Sequence, residues 1–455
     1  MGSACLVPVV LGLVLGIVPR LAFAATINVA CGDVAGLKAA IISAAPGDTV
    51  LLANGCRYTL TVVDNNDGGF GANGLPLINK TLAIGGDNAT ITRSSGSFRF
   101  FDVAAGGSLT VDHLTISNAS TPLNGGAVLV KAGGALAAFG STFLSNTATG
   151  GGGVFNATGA NLTVADDTFT TNSAGNGGGI FNAGTAAISR TTFHGNGSNS
   201  GGAVTNAAGT ISVVNSTFFG NVATSGAGAF DNVATATVRS STFSGNSSPS
   251  GFGAISPTGP GNLTLQDSIV ANASRNCGPV GPLTDGGHNL SWPDSTCPGS
   301  HVDPRLGSLS SNGGPTQTLA LLPGSPAIDA IPPVGAGCPA TDQRGISRPQ
   351  GPACDIGAFE LTTSTPTPTA APVPAPPSTG NQPVGNVGWL LPILVVGGIL
   401  SGLLLLEITL RRRWSPLDLL KLDLGAPEVV EDASAITEQH RNDVEPELVQ
   451  EPRHR

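Results

Sequence analysis

A repeat of about 25 residues runs through the middle of this 455-residue chain. One phrase of the repeat is Phe-x-x-Asn, whose successive apolar positions are 26, 24, 25, 25 and 26 residues apart. The last copy has Ile in place of Phe. The six copies are Phe143 and Asn146, Phe169 and Asn172, Phe193 and Asn196, Phe218 and Asn221, Phe243 and Asn246, and Ile269 and Asn272. A constant period of this length predicts a solenoid with one coil per repeat.

A second phrase, two glycines followed by apolar residues, keeps the same period between these copies, as at 125–128, 152–155, 178–181 and 201–204. Short segments such as Leu162-Thr163-Val164 alternate apolar and polar residues, as strands do. Paired glycines allow sharp corners between strands. Stacked coils place each strand on its copy at about 4.8 Å. The sequence therefore predicts an all-β, right-handed parallel β-helix, with an inner stack of Phe rings and a column of hydrogen-bonded Asn amides.

Charged residues make up only 11% of the chain, against about 25% in an average globular protein. Disorder does not explain this low charge, because 40% of the residues are hydrophobic and recur regularly. The formal net charge is -9 and basic residues are thinly scattered before the C-terminal tail. Since phosphate binding needs clustered Lys and Arg, nucleic acid is not an expected partner.

The N-terminus reads as an export signal followed by a cap. Residues 1–24 hold an apolar run and the small-x-small sequence Ala22-Phe23-Ala24, which predicts a signal peptide, with an uncleaved anchor as the alternative. Residues 25–108 are predicted to form the cap and first coils, ahead of β-helix repeats over 109–272. Asp33 is expected to cap a short helix. The apolar face of that helix is expected to be Val34, Leu37, Ile41 and Ile42.

Six cysteines remain after the signal, and an even number fits disulfides in an oxidising compartment. Fifteen pairings are open, and sequential neighbours close the shortest loops. We therefore predict the pairs Cys31–Cys56, Cys277–Cys297 and Cys338–Cys354. The last four cysteines lie in residues 273–360, which are predicted to cap the far end of the coil.

The C-terminal part predicts a membrane anchor. Residues 361–387 form a Pro/Thr-rich spacer, and residues 388–410 a transmembrane helix that opens with 19 uncharged residues. Arg411-Arg412-Arg413 follows, so the tail over 411–455 is expected in the cytoplasm, disordered, with the ectodomain outside. Pro377-Ser378-Thr379-Gly380 resembles a sortase signal, which leaves covalent attachment to a cell wall open.

Three parts of the chain resemble known families. The paired phrases over 124–272 resemble the repeat of polymorphic outer membrane proteins, which are β-helical surface adhesins. Residues 31–60 look like the CSLREA-type opening of secreted bacterial β-helix proteins. The phrases at 312–316, 324–329, 341–345 and 354–360 are similar to a choice-of-anchor Q domain. These resemblances imply a bacterial surface protein in which an anchor follows the β-helix.

Few residues suggest chemistry. In each copy of the Phe-x-x-Asn phrase we compared the residue that lies two positions before the Phe or Ile. These residues are Ser141, Asp167, Thr191, Ser216, Ser241 and Asp267. In this alignment the two Asp are four coils, or about 19 Å, apart. His194 has no acidic neighbour in the alignment, Asp112-His113 is expected at a coil edge, and residues 64–67 read as a polar turn rather than a calcium loop. The sequence therefore predicts no catalytic residue, no cofactor and no metal site.

Outside the membrane region, the aromatic side chains are Tyr58, Trp292 and Phe residues, and the Phe residues are assigned to the core. The sequence favours a non-catalytic, adhesin-like or structural cell-surface protein, with an unidentified glycan or protein as ligand. The alternatives are a polysaccharide lyase or hydrolase, or a glycan-binding module. Carboxylates clustered on adjacent coils favour the enzyme, and a row of exposed aromatic residues favours the binding module.

Overall fold

The computed structural model describes residues 24–249, 251–272, 275–333 and 338–362, which form an all-β parallel solenoid of about nine turns, of the right-handed type. The chain divides into two compact units, Met1–Thr367 and Pro368–Arg455, and every described residue belongs to the first. The predicted signal, except for its last residue, the predicted membrane helix at 388–410 and the tail lie outside the described residues. Within the described ranges, no helix has the length and apolar character needed to cross a bilayer.

The largest sheet, here the broad sheet, has 19 strands in two ladders joined at a corner. Two long strands, Thr81–Arg93 and Ser108–Ser117, run through both ladders. The first ladder also contains Thr26–Val29, Thr49–Leu52, Ala135–Phe139, Asn161–Ala165, Thr185–Ser189, Thr210–Val214, Thr235–Arg239, Leu263–Gln266 and Leu283–Asp285. The second ladder also contains Arg57–Leu60, Thr142–Leu144, Thr168–Thr170, Thr192–His194, Thr217–Phe219, Thr242–Ser244, Ile269–Ala271 and Leu290–Trp292.

Two smaller parallel sheets close each coil. The flank sheet has seven strands: Phe101–Val103, Val128–Val130, Val154–Asn156, Ile180–Asn182, Val204–Asn206, Phe230–Asn232 and Ile255–Pro257. The narrow sheet has four: Thr147–Gly150, Ser173–Asn176, Gly197–Ser198 and Val222–Ala223. The paired glycines make the corner between these two sheets. At Gly177, where φ is +61°, a Cβ atom would lie 2.2 Å from the carbonyl oxygen of Ile180, so only glycine fits.

The inner face of the second ladder carries a stack of five Phe rings. Successive centroids from Phe143 to Phe243 are 4.5, 5.1, 4.8 and 4.4 Å apart. The prediction that Ile269 continues this stack is wrong, because Ile269 pairs with Thr242, and Val270 pairs with Phe243. The strand of the sixth coil is therefore displaced by one residue from the position that the repeat phrase suggests, although Asn272 still bonds Asn246 as the phrase predicts.

Buried asparagines form a column along the axis, at the corner between the second ladder and the narrow sheet. The Nδ2 of Asn196 donates to Oδ1 of Asn221 at 2.9 Å and to the carbonyl of Phe169 at 2.9 Å. Its Oδ1 accepts from the backbone N and the Nδ2 of Asn172, at 3.0 and 2.9 Å. The side-chain bonds continue from Asn146 through Asn172, Asn196, Asn221, Asn246 and Asn272 to Asn276.

A second asparagine column, which the sequence reasoning missed, follows the flank sheet. Asn156, Asn182 and Asn206 each donate from Nδ2 to Oδ1 of the next member, at 2.8, 2.8 and 2.7 Å, and the column ends at Asn232. Its members are the third residues of the flank strands and are fully buried. Two opposite corners of the coil are thus held in register by buried amides.

A helix over Val34–Ser43 covers the N-terminal end of the solenoid, as predicted. Asp33 caps it, because its Oδ1 accepts a hydrogen bond of 2.7 Å from the backbone N of Gly36. The buried face is Leu37, Ala40 and Ile41. The assignment of Ile42 to this face is wrong, since its side chain is 69% exposed.

The three predicted disulfides, Cys31–Cys56, Cys277–Cys297 and Cys338–Cys354, are confirmed. The first ties the N-terminal helix to the first coils. The second joins the last coils, which continue after the repeat phrases end, as far as Leu290–Trp292. The third lies in the segment after the coils.

That last segment contacts the side of the solenoid. Its hairpin pairs Leu306–Ser310 with Thr318–Leu321. Gln343 lies between two coils of the second ladder, where its Nε2 donates to the hydroxyl of Thr192 at 2.9 Å and its Oε1 accepts from Thr217 at 2.6 Å. The outer face of the second ladder is therefore occupied over these coils.

We predict that Asn196→Leu lowers the free energy of unfolding by at least about 3 kcal/mol, because it leaves buried donors and an acceptor without partners. Urea unfolding of the full-length protein, followed by circular dichroism, measures this loss. The matched control is Asn161→Leu on the exposed face of the first ladder, with an expected change within about 0.5 kcal/mol. Equal losses in the two variants would contradict a structural role for the column.

Candidate functional site

The outer face of the first ladder carries small uncharged side chains over most of its length. One column is Thr81, Ser108, Ala135, Asn161, Thr185, Thr210 and Thr235, and the next is Ala83, Thr110, Ala137, Thr163, Ala187, Ser212, Thr237 and Thr264. Neither column offers an ionisable group. A third column, at the end of these strands, includes Asp112, Phe139 and Arg239. Charged and aromatic side chains are also found on the flank sheet.

In each flank strand the middle residue points outward, because its two neighbours point into the core. The strand register places these middle residues in one outer column: Asp102, Leu129, Phe155, Phe181, Thr205, Asp231 and Ser256. Consecutive members are about 4.8 Å apart along the axis. The column brings together residues that are far apart in the sequence. Five of these side chains are buried, and Phe155 and Phe181 are half-buried.

Two stacked aromatic rings stand in this column. Phe155 and Phe181 have ring centroids 4.7 Å apart and planes that differ by 4°, and both side chains are half-buried. The assignment of all repeat Phe residues to the core is therefore wrong for these two.

Apolar surface continues from this pair towards the N-terminal end. Phe70 is 51% exposed and Leu123 is 39% exposed. A Cβ atom on Gly71 would lie 2.6 Å from the Leu123 side chain, and one on Gly150 would lie 3.3 Å from the Phe155 ring. We call Phe70, Leu123, Phe155 and Phe181 the aromatic flank. Contiguous exposed apolar surface of this kind marks binding sites more often than isolated apolar residues do.

A charged group borders the aromatic flank, here called the Lys131 cluster: Asp67, Arg99, Asp102 and Lys131. The Nζ of Lys131 lies 2.9 Å from Oδ2 of Asp102, contacts Oδ2 of Asp67, and lies 4.6 Å from the centroid of the Phe70 ring. Asp67 and Phe70 belong to a loop that includes a hairpin of Asn65–Asn66 with Ala72–Asn73. This loop thus covers the outer column where the column begins.

Arg99, on the buried side of this loop, holds the loop in place through hydrogen bonds. It is fully buried, and its guanidinium donates to Oδ1 of Asn73 at 2.9 Å, to the carbonyl of Asn124 at 3.2 Å and to the carbonyl of Phe70. Asn73 in turn donates to Oδ2 of Asp102 at 3.3 Å. The positions of Phe70 and Asp102 are thus set by the same buried side chain.

Burial dominates the electrostatics of the cluster. It raises the pKa of Asp102 to about 6, although Arg99 acts in the opposite direction. It also lowers the pKa of Lys131. The Oδ1 atom of Asp102 is buried without a hydrogen-bond partner among the described residues. The cluster is therefore a polar site in a poorly solvated setting, where ionic contacts are stronger than in water.

The acidic residues found in the repeats do not form a site. Asp166 pairs with Arg190 at 2.7 Å. Asp167 is fully buried and accepts hydrogen bonds from the backbone N atoms of Ser141 and Ala165. The alignment of Asp267 with Asp167 is wrong. The strand of the sixth coil is displaced by one residue, so Asp267 is equivalent to Asp166 instead. Both residues have positive φ and stand at the corner between the two ladders.

Asp267 is buried and carries two contacts of 3.2 Å, to Nε of Arg239 and to Nδ1 of His288. His113 pairs with its neighbour Asp112 at 2.8 Å, and the ring of His194 packs against Phe219. These contacts provide structure at coil corners rather than an open site.

The other residues that the sequence suggested as metal ligands or aromatic contacts do not lie together in the structure. Asp64 pairs with Lys38 at 3.2 Å, whereas Asp67 turns to Lys131, so the acidic stretch at 64–67 does not converge. In the part of the chain that the structure describes, no three His, Cys, Asp or Glu side chains are grouped to hold a metal ion. Tyr58 is buried, and its hydroxyl donates to the carbonyl of Val29 at 3.1 Å. Trp292 is exposed at the end of the last coil.

No family model and no curated protein matches the chain, so the three family resemblances remain predictions. Solved structures similar to it include pectate lyase Pel9A, with 18% identity, a TM-score of 0.36, and coverage of 71% of this chain and 90% of that one. Another is alginate lyase from Paenibacillus sp. str. FPU-7, with 15% identity, a TM-score of 0.28, and coverage of 58% and 99%. A likeness at this level says nothing about what this chain binds or does.

We predict that Asp167→Ser stabilises the protein increasingly as the pH rises. Burial raises the pKa of Asp167 well above its usual range, so the folded chain keeps a proton that the unfolded chain releases. Wild-type stability must then fall as the pH rises through this window, whereas a serine, which the same column has at 216 and 241, does not titrate.

Melting temperatures of the two proteins between about pH 4 and pH 8 measure this effect, and their difference should widen towards the upper end. Asp166→Ser is the matched control, because Ser240 occupies the same corner column with positive φ. A difference that stays constant with pH would contradict a buried, protonated Asp167.

Proposed function

We propose that the protein is a non-catalytic, adhesin-like β-helix that binds an extended glycan along the aromatic flank. The observation that carries this proposal is the stacked pair of Phe155 and Phe181 on the outer face of the flank sheet, together with the exposed Phe70, whose ring contacts Lys131. Ligand sites combine hydrophobic and aromatic side chains with a few polar groups that fix the orientation of the ligand. The aromatic flank offers the first and the Lys131 cluster the second.

The aromatic flank runs along the solenoid axis, which suits an extended polymer as ligand. Phe155 and Phe181 follow one another along the solenoid axis, because their strands are neighbours in register. Leu123 and Phe70 extend the apolar surface towards the first coils. A polymer lying parallel to the axis would contact these side chains in succession, whereas a small ligand would cover only part of the row.

Binding without cleavage is favoured by the state of the carboxylates. Glycosidases use two carboxyl groups about 5–9.5 Å apart, with room for a sugar or water between them. In the Lys131 cluster, the lysine amine lies between Asp67 and Asp102, and Asp102 is fully buried. This arrangement holds a loop and presents charge to the surface, but it leaves no open pair of acids.

Cleavage of the bound glycan by a lyase mechanism is the second candidate, and one observation favours it. Burial lowers the pKa of Lys131, which brings its amine closer to the range of a general base. Contacts with Asp67 and Asp102 act against this role, because both carboxylates stabilise the protonated amine. We therefore place binding ahead of cleavage.

We further propose that the solenoid is displayed at the cell surface. The predicted signal over 1–24 would direct export, and the predicted helix over 388–410 would span the membrane. Three confirmed disulfides are consistent with an oxidising compartment. The Pro/Thr-rich spacer over 361–387 would separate the β-helix from the bilayer.

We predict that the double variant Phe155→Ala and Phe181→Ala weakens glycan binding roughly tenfold or more, the equivalent of about 1.4 kcal/mol. A glycan array probed with the purified full-length protein identifies the ligand, and calorimetry then compares the variants. Release of reducing or unsaturated sugar, followed in the same samples, reports on cleavage.

Phe219→Ala is the control, because Phe219 is half-buried on the second ladder, away from the flank sheet. Its loss should leave glycan affinity unchanged. Affinity that is unaffected by the double variant would contradict the proposed site, and sugar release that depends on Lys131 would move the second candidate to first place.

The membrane topology gives a separate prediction. A tag after residue 455 should be protected from protease added to intact cells, whereas the β-helix should be accessible, because the Arg cluster holds the C-terminus inside. Deletion of 388–410 should release the protein into the medium. An accessible C-terminal tag on intact cells would contradict the proposed orientation.

A further inference from the structure

We infer that the glycan is acidic, and that its anionic group replaces the Asp67 carboxylate on the amine of Lys131. This inference rests on the proposed function and names the class of ligand for the same site. A uronic acid carboxylate and a sulfate ester share the required chemistry, namely a negative group beside a sugar ring.

Asp67 is placed so that it can leave without disturbing the fold. Its side chain is 39% exposed and contacts Lys131 from the solvent side. The backbone N of Asp67 donates to the carbonyl of Gly71 at 3.1 Å, and this bond does not involve the carboxylate. Rotation of the side chain therefore frees the amine of Lys131 while the loop keeps its backbone bonds.

Lys131, by contrast, is fixed. Its side chain is only 14% exposed, its amine lies 2.9 Å from the buried Asp102, and the Phe70 ring faces the same amine. The charged atom is thus held at the edge of the aromatic flank. A sugar ring packed on Phe70 would bring a ring substituent close to this amine.

The net charge of the Lys131 cluster favours an anionic ligand. The cluster holds two cations, Arg99 and Lys131, and two carboxylates, Asp67 and Asp102. Departure of Asp67 leaves one positive charge in excess in a poorly solvated site, which is costly unless another anion arrives. An acidic glycan supplies that anion, so one ion pair is exchanged for another. A neutral glycan cannot displace Asp67 without this penalty.

The Asp102 carboxylate that holds Lys131 has one unpartnered oxygen, because its Oδ1 is buried without a hydrogen-bond donor among the described residues. Its other oxygen, Oδ2, contacts Lys131 at 2.9 Å and accepts from Asn73 at 3.3 Å. Since an unpaired buried acceptor is costly, the carboxylate depends on these contacts through Oδ2. The amine of Lys131 therefore has a fixed partner that stays when Asp67 leaves.

The test uses the full-length protein and calorimetry with three probes: a uronic acid oligosaccharide, its uncharged methyl ester, and a sulfated neutral oligosaccharide of the same length. Wild-type protein should bind the acid or the sulfate at least roughly tenfold more tightly than the ester. The first and third probes show which anionic group is preferred. Affinity for the charged probe should fall as salt is added.

Asp67→Asn removes the internal competitor and should raise the affinity for the charged probe roughly tenfold, with the affinity for the ester unchanged. Asp64→Asn is the matched control on the same segment, because its carboxylate pairs with Lys38 instead. Lys131→Gln should abolish the preference for the charged probe.

Equal, salt-independent affinity of wild-type protein for acid and ester would overturn the inference, even if Asp67→Asn failed to fold. Ester binding that still depends on Phe155 and Phe181 would then leave the proposed function standing. Failure of all three probes and of the glycan array would instead remove the proposed function, and the inference with it.

Discussion

Hydrogen bonding between buried amides along the solenoid axis is the constraint on which the rest of the structure depends. From Asn146 to Asn246 in one column, and from Asn156 to Asn206 in the other, each Asn bonds the equivalent residue one coil further on. A slip by one residue would leave several buried polar groups unpaired, at about 1–3 kcal/mol each. The columns therefore set the coil register, and the register in turn places every outward side chain.

That register creates three outer surfaces of different character. The first ladder presents small uncharged residues over most of its outer face, and the second ladder is covered in part by the segment around Gln343. The flank sheet gathers Phe155, Phe181 and the Lys131 cluster. Because every coil supplies the same scaffold, the binding properties depend on a few substitutions in the outer columns and on one loop that covers the first of them.

The number and spacing of the cysteines predicted the disulfide pairs, and the period and the phrases predicted the coil and the inner Phe stack. They did not separate Ile269 from Val270, because the sixth copy lacks both the Phe and the preceding Thr that mark the position elsewhere. The outward pair Phe155 and Phe181 was assigned to the core by residue type, although alternation within a three-residue strand gives the opposite direction. The contact of Asp67 with Lys131 spans 64 residues and depends on a loop outside the repeat, so no local pattern indicates it.

The central claim is that residues one repeat apart lie one strand spacing apart. Nitroxide labels on the outer column of the first ladder test it most directly, with pulsed electron resonance measuring label separations. Thr110 and Thr237 are five coils apart, and Thr110 and Thr284 seven. The account predicts separations of about 24 and 34 Å, which grow with the number of coils. Separations that do not increase by about 4.8 Å per coil would contradict it.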